Sequence, residues 1–145
     1  MPNAPMSNPA RTPLFVYGTL CDPRIQQALF GRQISGDSAT LSGWAVYCSD
    51  ADGFLFIKPN TDGTVAGAII SLDERELEIA DAWEDVPLYQ REIVSVMSEA
   101  GDCEAWAYTR REAPGRLHEN DSTSGHPHEE VLTMALALRA EMDTR

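Results

Sequence analysis

The chain has 145 residues, enough for one domain to bury a core without disulfides or a structural metal. A hydrophobic fraction of 43% and a charged fraction of 23% are those of a globular protein and exclude disorder over the whole length. Lys and Arg total 11 against 23 Asp and Glu, and the resulting net charge of −12 repels phosphate backbones and anionic membrane surfaces, so nucleic acid and membrane are not expected partners. No apolar run approaches the ~20 residues of a membrane span, and the first dozen residues lack the apolar block of a signal peptide. The expected location is cytoplasmic. Cys21, Cys48 and Cys103 are odd in number, far apart and without a C-x-x-C pair, which suggests reduced, structural thiols.

Residues 1–13 are rich in Pro, Asn and Ser and read as a mobile tail. The apolar run 14–17, stopped by Gly18, predicts a short buried strand ending in a turn. Asp22 then stands as an N-cap with Pro23 at the first helical position, and Ile25, Ala28 and Leu29 recur at helical spacing until Gly31. Strand-like runs follow at 39–48, 54–57 and 65–72, separated by the turn material of 49–53 and 60–63. The period then changes: Leu77, Ala80 and Glu84 share one face of a helix predicted over 73–84. Segments 89–97 and 104–109 alternate around Gly101-Asp102 as a hairpin. The polar stretch 111–128 reads as an extended connection rather than an element, and Val131, Met134, Ala135 and Leu138 mark a last amphipathic helix within 129–145. Strands grouped with a few helices beside them, without βα alternation, predict an α+β domain over 14–110.

Two places in this pattern can carry chemistry. The run Phe15-Val16-Tyr17-Gly18-Thr19-Leu20 brings backbone N–H groups together where glycine leaves room for a ligand, just ahead of a helix N-terminus that favours a carboxylate. An ordinary strand-to-helix turn has the same look. Glu84 is the carboxylate on the apolar face of its helix, beside Trp83 and Val86, so lost hydration should raise its pKa into the range for proton transfer. Its helix-mates Asp73, Glu74, Glu76, Glu78 and Asp81 read as solvated surface charges.

The blocks F-V-Y-G-T-L, then a helix opening D-P, then L-D-E-R-E-L-x-x-x-D-A-W-E-D-V-P-L-Y-Q-R, then E-A-W-A-Y-T, resemble in order and spacing the γ-glutamylcyclotransferase superfamily, in its avirulence-induced-gene-like branch. The resemblance covers roughly residues 14–110. It implies a small, partly closed mixed β-barrel with flanking helices. It further implies that Tyr17, Gly18, Thr19 and Leu20 form the loop whose amides hold the α-carboxylate of a γ-glutamyl group. Glu84 matches the family's acidic catalyst, Tyr89 and Arg91 match a Y-x-R strand start, and Tyr108 matches an aromatic of the cavity. Asp85 departs from the family pattern, which has glycine after the catalyst.

In such a reaction the substrate's own α-amine attacks its γ-carbonyl, releasing 5-oxoproline and an amine, and the enzyme supplies proton transfer and orientation without cofactor or metal. The expected partner is a small γ-glutamyl amine or peptide. The leaving amine and the oligomeric state stay open. Two other readings keep the same cavity: a non-catalytic module that binds a small carboxylate, and an enzyme acting on another amide-linked amino acid. His118, His126 and His128 fall in the polar connection, where neither a Ser-His-Asp triad nor a preorganised metal grip is expected. Trp44, Trp83 and Trp106 read as core or cavity-wall aromatics, and Cys21 lacks an activating base.

Overall fold

The computed structural model describes residues 11–84, 89–118 and 128–144. Strand β1 (Thr12–Val16) leads through a single 3-10 turn (Thr19–Cys21) into α1 (Pro23–Phe30). Then follow β2 (Asp37–Ser49), β3 (Leu55–Leu72), α2 (Glu74–Trp83), β4 (Gln90–Ser98), β5 (Gly101–Thr109), β6 (Gly115–Leu117) and α3 (His128–Asp143). The strands run in the order β3-β1-β5-β4-β2, and β2 pairs back onto β3, so five strands close a mixed barrel. Among the described strands, only the contact of β1 with β5 is parallel.

The apolar run at 14–17 follows from the position of β1, which is covered on both faces. Phe15 points into the barrel with Leu41, Ile57, Val65, Val94 and Val96, whereas Leu14 and Val16 face the helices with Ile25, Leu29, Ile79 and Val131. Close packing of β1 on β3 requires Gly67, where a Cβ would fall 2.2 Å from the Val16 carbonyl oxygen.

Three expectations change. Order starts at Thr12 rather than Leu14, because Thr12 and Pro13 already pair with Leu72 and Ser71. The turn foreseen at 60–63 does not divide two strands. Its Asx turn, with the Asp62 N–H donating to Asn60 Oδ1 at 3.0 Å, sits in a bulge between the pairs Trp44↔Pro59 and Ser42↔Thr64, so β3 runs as one element. Within the stretch read as a connection, residues 115–117 form β6, which takes the place beside Tyr47, Cys48 and Ser49 that β4 has left. A three-residue strand with Gly and two exposed side chains leaves no period-2 signal to read. Among the described residues, no helix is long and apolar enough to cross a membrane.

The helices are fixed by specific polar bonds. Asp22 caps α1 by accepting from the Arg24 N–H at 2.8 Å, as its place before Pro23 foretold, and Gly31 closes the helix in the left-handed region at φ 76°. Helix α3 packs Val131, Ala135 and Met142 against the same domain, while the Arg139 guanidinium donates to the Leu29 carbonyl at the end of α1. Helix α2 starts with a capping box in which Asp73 and Glu76 each accept the other's backbone N–H, at 2.8 and 3.0 Å. Glu76, expected as a solvated charge, is instead buried and held by Arg32 through two bonds of 2.6 and 2.8 Å.

Glu76→Ala removes both the cap and the bidentate partner, and a urea titration at neutral pH should show a loss of about 2–3 kcal/mol. The Arg32 guanidinium holds the Glu76 carboxyl below its ordinary range. Its stabilisation is therefore present above the unfolded pKa and disappears as pH falls through the folded one, so variant and wild type should converge in acid.

Candidate active site

A cavity of about 310 Å³ opens where β1 ends, between the barrel and the C-terminal end of α2. Residues 17–20 form one side, Glu84 with Ala82 and Trp83 another, and Tyr89 and Tyr108 a third. Of the residues singled out from sequence, Tyr17, Gly18, Thr19, Leu20, Glu84, Tyr89 and Tyr108 are thus brought to one space. Arg91, matched to the Y-x-R strand start, is not among those lining it. It shares the sheet face of Tyr108, its direct partner in the β4–β5 register, but its guanidinium pairs with Asp81 at 2.9 Å and lies over the Trp106 ring.

The 17–20 loop owes its shape to the 3-10 turn that follows Gly18. The first hydrogen bond inside this turn is from the Cys21 N–H to the Gly18 carbonyl at 3.0 Å, so the N–H groups ahead of Cys21 precede the turn's own bonding. Two side chains immobilise the loop. Gln26, buried in α1, donates to the Leu20 carbonyl at 2.8 Å and accepts the Ile34 N–H at 2.8 Å, which satisfies both ends of its amide. The Trp83 indole N–H donates to Thr19 Oγ1 at 2.8 Å and so ties the loop to the residue before Glu84.

Glu84 is the last residue of the α2 turn, its N–H bonded to the Ala80 carbonyl at 2.9 Å. Burial pushes its carboxyl from the ordinary 4.5 up to about 8. A carboxylate at a helix C-terminus also faces the negative end of the helix dipole, which acts in the same direction. All three cavity tyrosines have phenols raised above their ordinary value, first by burial and then, among other causes, by the charge of Glu84. At neutral pH the site therefore holds neutral phenols around a carboxyl that is mostly protonated, with its ionised form within reach.

Each phenol is anchored. Tyr17 donates to the Tyr108 carbonyl at 2.7 Å, Tyr89 to the Leu55 carbonyl at 2.8 Å, and Tyr108 to Asp81 Oδ1 at 2.6 Å. Asp81, also expected as a solvated charge, is thus bonded to both Tyr108 and Arg91.

Sequence reasoning missed several wall residues. Asp52 and Phe54 enter from the β2–β3 loop, Leu55 from the start of β3, and Met134 and Leu138 from α3. The Asp52 carboxylate accepts the Phe54 N–H at 3.0 Å as an ordinary Asx turn and meets Arg110 at 3.4 Å, so locally it reads as turn chemistry alone. The apolar spacing of α3 announced a packed face, and part of that face is spent on the cavity.

Other candidates fall away. The Cys21 thiol is pushed up to about 11 by burial and by Asp22, the opposite of an activated nucleophile. His118 follows β6, and its N–H donates to the Val46 carbonyl. Asp85 and His126 lie outside the described residues, as does the side chain of His128.

The family model described as gamma-glutamyl cyclotransferase, AIG2-like, matches residues 14–129. AIG2-like protein C of Arabidopsis thaliana is 30% identical over 129 residues, covering 86% of this chain and 74% of its own. Among solved structures, the solution structure of an Arabidopsis thaliana protein superposes with a TM-score of 0.65 at 22% identity, over 95% of this chain and 82% of that one. A gamma-glutamyl cyclotransferase structure gives 0.61 at 13% identity, over 92% and 86%. A crystal structure of an AIG2-like protein from Mus musculus gives 0.62 at 20% identity, over 83% and 92%. With most of the chain matched and the barrel and helices in common, this protein belongs to the gamma-glutamyl cyclotransferase, AIG2-like family.

Proposed function

We propose that the protein cyclises a γ-glutamyl amine or peptide, releasing 5-oxoproline and the free amine. The observation that carries this reading is Glu84, a carboxyl raised to about 8 at the wall of a cavity faced by the glycine loop. The loop amides ahead of Cys21 suit the substrate's α-carboxylate. With the carboxylate held there, the chain curls so that the α-amine nitrogen approaches the γ-carbonyl carbon.

Ionised Glu84 accepts an N–H proton as the new C–N bond forms and the ring closes. Protonated Glu84 then returns a proton to the leaving nitrogen as the original amide C–N bond breaks. Acid-base transfer of this kind is worth on the order of 10²- to 10⁴-fold, and the intramolecular alignment adds several kcal/mol more. Residues 17–20 orient, Glu84 moves the proton, and the apolar walls from Phe15, Leu55 and Leu138 keep water from competing for the carbonyl.

Incubation with a panel of γ-glutamyl amines, with 5-oxoproline identified by mass, is expected to show turnover by wild type and a loss of at least ~100-fold in Glu84→Gln. Absence of 5-oxoproline with every substrate, accompanied by ligand-induced thermal stabilisation, would instead favour a binding module for small carboxylates. Stability gives an independent check on the carboxyl. Its folded pKa of about 8 lies above the ordinary 4.5, so ionisation costs nothing below 4.5 and progressively destabilises the fold as pH rises toward 8. Thermal melts should therefore show Glu84→Gln gaining on wild type between about pH 5 and pH 9, by on the order of 1–3 kcal/mol.

A further inference from the structure

The three cavity tyrosines differ in one respect that their shared burial hides. A phenol carries one proton to donate and lone pairs with which to accept. Tyr17 and Tyr89 spend their protons on main-chain carbonyls, which can only accept. Tyr108 spends its proton on Asp81, whose carboxylate is paired with Arg91 through contacts of 2.9 and 3.3 Å. All three hydroxyl oxygens are therefore left as acceptors.

Two of these oxygens are already approached by protein donors, Tyr17 by the Ile57 N–H and Tyr89 by Arg110. Among the described residues, nothing in the protein donates to the Tyr108 oxygen, although this residue is only 3% exposed and lines the cavity with Glu84. A buried oxygen whose only remaining capacity is to accept calls for a donor-rich ligand group.

We propose that Tyr108, polarised by the Arg91–Asp81 ion pair, receives an N–H of the substrate's α-amine beside Glu84, and that Asp81 is the positioning residue that fixes this polarity. The inference rests on the cyclotransferase reading for the identity of the amine. An amine nitrogen gripped by Glu84 and by the Tyr108 oxygen has two N–H directions fixed, which leaves its lone pair aimed at the γ-carbonyl carbon. If the phenol turned, its proton would point at the amine and oppose binding. Asp81 prevents this by holding that proton at 2.6 Å. Because Asp81 lies on α2 one turn before Glu84, the same bond sets the spacing of the two groups that meet the amine.

The test is binding as well as turnover. In a Glu84→Gln background, which preserves ligand, γ-L-glutamyl ethylamide and N-ethylglutaramate, its counterpart lacking the α-amine, are titrated by calorimetry. Tyr108→Phe is expected to weaken the amine-bearing ligand about tenfold and to leave the other within about twofold. Asp81→Asn should show the same selectivity, and combining it with Tyr108→Phe should add little, since both act on one contact.

Equal weakening of the two ligands, or none, would overturn the proposal, because a structural defect in the cavity does not distinguish an amine. Wild type that releases no 5-oxoproline while the amine-selective loss persists would remove the reaction and leave the subsite standing. Conversely, turnover that survives Tyr108→Phe with kcat/KM within about threefold would remove the subsite and leave the reaction.

Discussion

Holding one half-buried carboxyl with little hydration at the cavity wall is the constraint on which the arrangement depends. Glu84 ends a helix, a poor place for a negative charge, and stands against apolar walls that deny it hydration. That cost is tolerated only because the surroundings are rigid. The capping box and Arg32 hold the start of α2, Asp81 holds its last turn to β4 and β5, and Trp83 fastens it to the loop opposite. Strained or desolvated groups persist where neighbouring structure over-determines their position, and each of these bonds removes a way for Glu84 to reach bulk water.

The barrel supplies the other half of that rigidity. Closure through β2 and β3 leaves β1 buried on both sides, so the loop at its end starts from a fixed point. Gln26 and the 3-10 turn then settle where the loop's carbonyls go, which determines by default where its N–H groups point. A loop built this way is prepared before any ligand arrives, and preorganisation is what lets backbone dipoles act on a charge without first paying to align.

Much of this was legible in residue order, and the exceptions have a common cause. The strand at 14–17, the Asp22 cap, the helix over 73–84 and the inward Glu84 all follow from spacing within one segment, where side-chain direction is dictated by local geometry. The family blocks added Tyr17, Thr19, Tyr89 and Tyr108, which do meet in one cavity. What failed depended on partners far away in the chain. Glu76 resembled any surface glutamate until Arg32, 44 residues away, came to meet it. Arg91 carried a motif position but found Asp81 instead of the cavity, and Asp52 was hidden inside turn chemistry that it also performs. Residues 115–117 became a strand because an edge of β2 was vacant, a fact that exists only after the barrel has closed.

The wall formed by α3 has a consequence of a different kind. Met134 and Leu138 reach the cavity from the last described element, while Glu84 and the glycine loop belong to elements nearer the barrel. If the cavity works as proposed, chemistry and selectivity are thereby written in separable parts of the gene. Exchange of one apolar side chain for another along α3 would reshape the space beyond the reacting atoms without disturbing Glu84 or residues 17–20, and methionine, unbranched and adaptable, is a permissive starting point. On the proposed cyclotransferase reading, a lineage carrying this scaffold can thus change the amines it accepts in small steps, each compatible with a working catalyst.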